Sequence, residues 1–98
     1  MKLNDILKGL EVLSATADMA QEITGVSYDS RTTAPGSVFV AISGEAVDGH
    51  RFIPIAAEKG AVCVVCERVP ERDIPYVQVK SSRKALALMA ANWFDHPA

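Results

Sequence analysis

Three patches of this sequence carry side chains that do chemistry elsewhere in proteins. Asp29-Ser30-Arg31 sets an acid, a hydroxyl and a guanidinium side by side. No histidine or second serine-based element accompanies them, so the serine lacks the base a nucleophile requires. Two uses stay open: Asp29 or Ser30 capping a following turn, or the patch forming the wall of a ligand pocket. The second patch, Gly44-Glu45-Ala46-Val47-Asp48-Gly49-His50-Arg51, has the G-x-x-x-x-G spacing of a nucleotide-triphosphate loop. Such a loop continues with Lys for the β/γ-phosphates and Ser/Thr for magnesium. His50 and Arg51 stand there instead, and Glu45 and Asp48 would repel phosphate, so that reading fails. What is left is a strand-to-helix connection needing Gly44 and Gly49 for backbone reasons, or one that also touches a ligand. His50 and Arg51, ahead of a helix, could face an anion.

The third patch is Cys63 and Cys66 in C-x-x-C spacing. Redox use requires the pair at a helix start, where a thiolate is stabilised. Here they sit inside Val62-Cys63-Val64-Val65-Cys66, a strand-like run on which residues three apart point to opposite faces. They read as two small buried hydrophobes. The two histidines, His50 and His96, lie far apart, and no metal site is expected.

The elements that must position these patches follow from periodicity. Leu3, Ile6, Leu7 and Leu10 mark a short amphipathic helix, with Asn4 a candidate cap. Residues 14–22 show no period and read as a connector. Ile23–Tyr28 is the first expected strand, ending in the Asp29 patch. Pro35-Gly36 suits the centre of a type II turn. Val38–Ile42, apolar on both alternating sets, is a strand covered on both faces. A helix follows over about Arg51–Lys59, with Pro54 in its first turn and Gly60 just beyond its end. Ala61–Cys66 is a buried strand, and the alternating Tyr76–Lys80 a strand near an edge. Ser81 or Ser82 caps a last helix whose core stripe is Leu86, Met89, Ala90 and Trp93. Asp95-His96-Pro97 is the helix exit. The expected class is α/β, a small mixed sheet flanked by helices in the order α-β-β-α-β-β-α, with a parallel pair joined by a right-handed crossover from Val38 to Cys66.

Composition bounds the remainder. The 98 residues suit one domain, and 49% are apolar, enough for a core. A net charge of −2 without any Lys/Arg cluster argues against nucleic-acid binding. No apolar run approaches the ~20 residues of a membrane helix. The start, Met1-Lys2-Leu3-Asn4-Asp5, lacks the apolar stretch of a signal peptide, which points to the cytoplasm.

Several of these motifs occur together in one family. Asp29-Ser30-Arg31, Pro35-Gly36-Ser37-Val38-Phe39-Val40-Ala41, Gly44, Asp48-Gly49-His50-Arg51-Phe52-Ile53 and Ala57-x-x-Gly60-Ala61 resemble, in order, the N-terminal domain of the Mur ligases. The resemblance covers about residues 23–97. It implies a cytoplasmic ATP-dependent amide ligase of peptidoglycan synthesis, with successive domains for the UDP end of the substrate, for ATP and Mg2+, and for the incoming amino acid. Residues 1–98 correspond to the first as a single domain. The central and C-terminal domains are expected to lie outside these residues, with the family's ATP loop expected shortly after Ala98. The fragment alone is therefore expected to hold no catalytic residue, metal or cofactor, and to pack against the missing central domain.

Within the family, the pattern looks most like the member joining L-Lys or meso-diaminopimelate to UDP-MurNAc-L-Ala-D-Glu. The alternatives are the member that adds D-Ala-D-Ala and a free-standing interaction module. By position, the resemblance implies a uridine site of Tyr28, Ser30 and the loop Glu45-Ala46-Val47. That loop is acidic and apolar where relatives carry more polar residues, so its contacts would be through backbone. Ser37 replaces a frequent Asp in the turn.

Overall fold

The computed structural model describes residues 1–44 and 47–94. Strands β1 (Val12–Ala15), β2 (Val26–Ser27), β3 (Val38–Val40), β4 (Cys63–Cys66) and β5 (Tyr76–Val79) form one sheet in the order β1-β5-β4-β3-β2. β2 through β5 pair in parallel, and β1 closes one edge antiparallel to β5. Helices α1 (Leu3–Ile6), α2 (Ile53–Glu58) and α3 (Ser82–Phe94) complete the domain. The α/β class, the mixed sheet and the parallel β3–β4 pair are as the sequence predicts.

The two-residue period of a strand sorts the core. On one face Val38, Val40, Cys63, Val65, Val77 and Val79 pack with Leu3 and Ile6 of α1 and Ala85 and Met89 of α3. On the other, Phe39, Val64 and Cys66 pack with Ile53 and Ala56 of α2. Cys63 and Cys66 thus lie on opposite faces, both free thiols and both fully buried. Burial, with the neighbouring Cys66 adding to it, pushes the Cys63 thiol up to about 12. Burial alone pushes Cys66 up to about 11.

Turn chemistry fixes the connections. Ser37 N–H donates to the Ala34 carbonyl (3.2 Å) across Pro35-Gly36, and Gly36 takes φ +84°, the left-handed position of the predicted type II turn. Pro54 occupies the first turn of α2, where its missing N–H costs no helix bond. The Ser81 hydroxyl accepts from Lys84 N–H (3.3 Å) and caps α3.

Several expectations are corrected. The connector 14–22 begins inside a strand. β1 shows no sequence period because its inward side chains, Val12 and Ser14, are only half-buried, and backbone pairing with β5 makes the strand. β5 thus lies one strand in from the edge, near it as the sequence predicts. Its alternation reflects a Tyr76/Gln78 face that is incompletely covered. The strand expected over Ile23–Tyr28 shortens to Val26–Ser27, because Ile23 N–H is taken by the Met1 carbonyl (2.8 Å). Asn4 does not cap α1. Lys2 holds that position without a side-chain bond. In α3 the fully buried positions are Ser82, Ala85 and Met89, while Leu86 and Trp93 are partly buried against the same core. Asp95-His96-Pro97 lies outside the described residues.

Candidate functional site

Parallel strands present all their carboxyl ends on one edge of the sheet, where α/β folds place ligands. Here β2 and β3 open there into a cavity of about 480 Å³. That volume lies within the ~300–1,000 Å³ of small-molecule sites. Tyr28 and Ser30 line it from the end of β2, and Val47 and Gly49 from the turn after β3. Tyr28 is 68% exposed and Val47 50%, whereas Ser30 is 8% exposed. The cavity thus has an aromatic ring and an apolar side chain at its rim and a hydroxyl-bearing residue held deeper. Of the expected site residues, the structure brings Tyr28, Ser30 and Val47 to one cavity; Glu45 and Ala46 lie outside the described residues.

Asp29 supplies the local order. Its Oδ1 accepts Arg31 N–H (2.9 Å), capping a 3-10 turn over Ser30–Thr32. Its carboxylate also binds the Arg31 guanidinium, with Nη2 to Oδ2 at 2.7 Å. These bonds hold Asp29 down at about 2, the Arg31 side chain first among them. The ion pair is exposed, so its stabilising effect is small. Its role is geometric: it fixes the turn on which Ser30 sits.

The turn after β3 is closed by its own backbone. Gly44 N–H donates to Val47 O (3.1 Å), and Gly49 N–H to Ile42 O (2.8 Å). A Cβ on Gly49 would stand 2.7 Å from Ile42 N, and one on Gly44 2.8 Å from Val47 O. Close approach, rather than positive φ, demands these two glycines. Asp48 then caps a 3-10 helix, Gly49–Phe52, by accepting His50 N–H (3.0 Å).

The His50 ring is not free to face an anion, whereas Arg51 is exposed and lines a second cavity with Arg68 and Arg72. The His50 ring is engaged by Asp48 and by two backbone amides. The Arg51 guanidinium sits 5.5 Å from the Phe52 ring centroid, a cation–π distance. Phe52 and Ile42 also line the cavity, although the sequence does not mark either as a site residue. Phe52 reads there as part of the apolar side of a helix, and a strand-end isoleucine carries no signal of a ligand. Only the topology brings both beside Tyr28.

The chemistry on offer is recognition: an aromatic ring, apolar side chains, the Tyr28 and Ser30 hydroxyls, backbone groups past two strand ends, and the paired Asp29 and Arg31. Among the described residues no cluster of three metal-ligating side chains occurs. The Gly44–Gly49 turn is followed by neither Lys nor Ser/Thr, so these residues do not fit ATP and Mg2+.

An α/β domain with a cavity at its parallel strand ends is the class these features define. Residues 22–94 match the Mur ligase family, catalytic domain, and the chain belongs to that family. It is 41% identical over 100 residues to the UDP-N-acetylmuramoyl-L-alanyl-D-glutamate--2,6-diaminopimelate ligase of Bacteroides thetaiotaomicron, covering 99% of this chain and 21% of that protein. It is 40% identical over 100 residues to the ligase of the same name from Phocaeicola vulgatus, again 99% of this chain and 21% of the relative. A crystal structure of MurF from Acinetobacter baumannii shares the fold, with a TM-score of 0.79 at 24% identity, over 93% of this chain and 20% of the other. The chain spans about one fifth of the length of these relatives.

Proposed function

We propose that this chain is the domain of a peptidoglycan-synthesising, ATP-dependent amide ligase that holds the uridine diphosphate end of UDP-MurNAc-L-Ala-D-Glu. The observation that carries the reading is the convergence of Tyr28, Ser30 and Val47 on one cavity at the carboxyl ends of β2 and β3. A uracil ring stacks on an aromatic face, and its polar edge pairs with a hydroxyl and with backbone amides and carbonyls. Glu45 and Ala46 complete the proposed loop by position in the sequence. Both curated relatives are named as diaminopimelate ligases, which supports the diamino-acid-adding (MurE) type over the dipeptide-adding type. In this reading ATP and Mg2+ act on other domains of the parent enzyme, against which this one packs, and the chain works in the cytoplasm. Among the described residues no helix is long and apolar enough to cross a membrane.

The test is titration of the 98-residue chain with UDP, followed by amide NMR. Shifts are expected at Tyr28, Ser30 and Val47. Ser30→Ala is expected to weaken binding about fivefold, the effect of one neutral hydrogen bond near 1 kcal/mol. Shifts confined to another face, or equal affinity in Ser30→Ala and in a bulky replacement of Ala46, would sink the reading.

A further inference from the structure

We propose that His50 is the positioning residue of this cavity: in its Nδ1–H tautomer it clamps the Ser43–Asp48 turn to the carboxyl end of β4 and so sets the wall at Val47. The effect on ligand rests on the nucleotide reading above, whereas the clamp itself does not.

The tautomer follows from the donors around the ring. Glu67 N–H and Arg68 N–H both donate to His50 Nε2, at 2.9 and 3.2 Å. A nitrogen that accepts two N–H groups carries no proton, so the neutral ring's proton lies on Nδ1. Nδ1 is 2.7 Å from Asp48 Oδ1, to which it donates, and 3.5 Å from Ser43 Oγ. The His50 side chain is only 6% exposed, so these bonds rather than water hold its ring.

The ring therefore joins segments 17 and 18 residues apart. On one side is a turn whose ends form a Ser43–Asp48 bridge. On the other are the first two residues after β4, Glu67 and Arg68. Asp48 strengthens the joint, since its Oδ2 meets the Arg68 guanidinium. The clamped residues flank the cavity directly: Val47 precedes Asp48, Gly49 follows it, and both line the space. Backbone contacts from this turn require its placement to a fraction of an ångström. A turn tied only at its own base would not supply that.

The experiment compares wild type, His50→Ala and His50→Gln in the 98-residue chain, at a temperature where each is fully folded. The expected results for His50→Ala are roughly tenfold weaker UDP binding and faster amide exchange at Gly44 and Gly49. His50→Gln, whose side-chain oxygen can accept from Glu67 and Arg68, is expected to restore most of both. A merely structural histidine would lower melting temperature in the variants and leave affinity and its rescue unmoved. Unchanged UDP affinity and unchanged exchange in His50→Ala overturn the clamp while leaving the nucleotide site standing. Absence of UDP binding to wild type, with exchange still accelerated by Ala and slowed by Gln, overturns the nucleotide reading and keeps the clamp. Should His50→Ala fail to fold, the wild-type 15N spectrum decides. An unprotonated Nε2 is expected, and a protonated one overturns the proposal.

Discussion

Glu67 shows how one side chain at a strand end serves two elements. Its Oε2 accepts both the backbone N–H of Ser82 (2.9 Å) and the Ser82 hydroxyl (2.7 Å), so an acid following β4 helps cap α3. Those bonds hold its carboxyl below the ordinary 4.5. A carboxyl lowered on folding stabilises the native state above its unfolded value and loses that contribution as pH falls through its folded value. Glu67→Gln is therefore expected to lower unfolding free energy by about 1 kcal/mol at pH 7. The gap between variant and wild type should close as pH drops from 4.5, which urea melts at several pH values will read. A gap that persists unchanged in acid would show that the charge plays no part. Nothing in the Glu67-Arg68 dipeptide announces this. Ser82 lies 15 residues away, and only the parallel arrangement of β4 and β5 brings the two together.

Among the elements, the turn from Ile42 to Gly49 is the most demanding. Gly49 lies against the backbone of Ile42, where a methyl group in place of its hydrogen would meet both the Ile42 N and O, at 2.7 and 2.8 Å. Backbone on both sides of the contact leaves no flexible side chain to move aside. Gly49→Ala is expected to cost roughly 1–3 kcal/mol, as overpacking does. A thermal melt checks the loss, and an unchanged melting temperature would mean the turn shifts freely. The same substitution should perturb the amide of Val47, which shares the turn. Sequence spacing flags Gly44 and Gly49 as backbone glycines. That close approach rather than dihedral freedom is the reason emerges from the packing, since neither takes positive φ.

For the molecule as a whole, β4 is the element whose exposure reports global opening. It lies at the centre of the five-stranded sheet, with α1 and α3 over one face and α2 over the other. Cys63 and Cys66 point to these opposite faces. Their thiols, raised to about 12 and about 11, form almost no thiolate at pH values near ~8. Alkylation by iodoacetamide at that pH is expected to be slow for both in the native protein and fast for both in denaturant. Their native rates should rise together as urea is added. Selective rapid labelling of one cysteine would reveal local opening of one face instead.

Much of this architecture follows from local pattern. Apolar runs at Val38–Ile42 and Ala61–Cys66, the Pro35-Gly36 turn, Pro54 at a helix start and the α3 periodicity are short-range signals, each tied to a backbone preference or a buried face. The linked Asp29-Ser30-Arg31 and Asp48-Gly49-His50 motifs place the chain among its relatives, because both occur at strand ends where spacing along the chain is spacing in the fold. Tertiary structure alone decided the rest. β1 exists through pairing with β5, which carries no sequence period when the strand is only half covered. Ile42 and Phe52 reach the cavity beside Tyr28 because β2 and β3 run parallel and end at one edge. His50 reads in sequence as a free cationic candidate. The fold instead presents it with two strand-end amides and an aspartate, and so makes it an acceptor and donor that ties the Asp48 turn to β4.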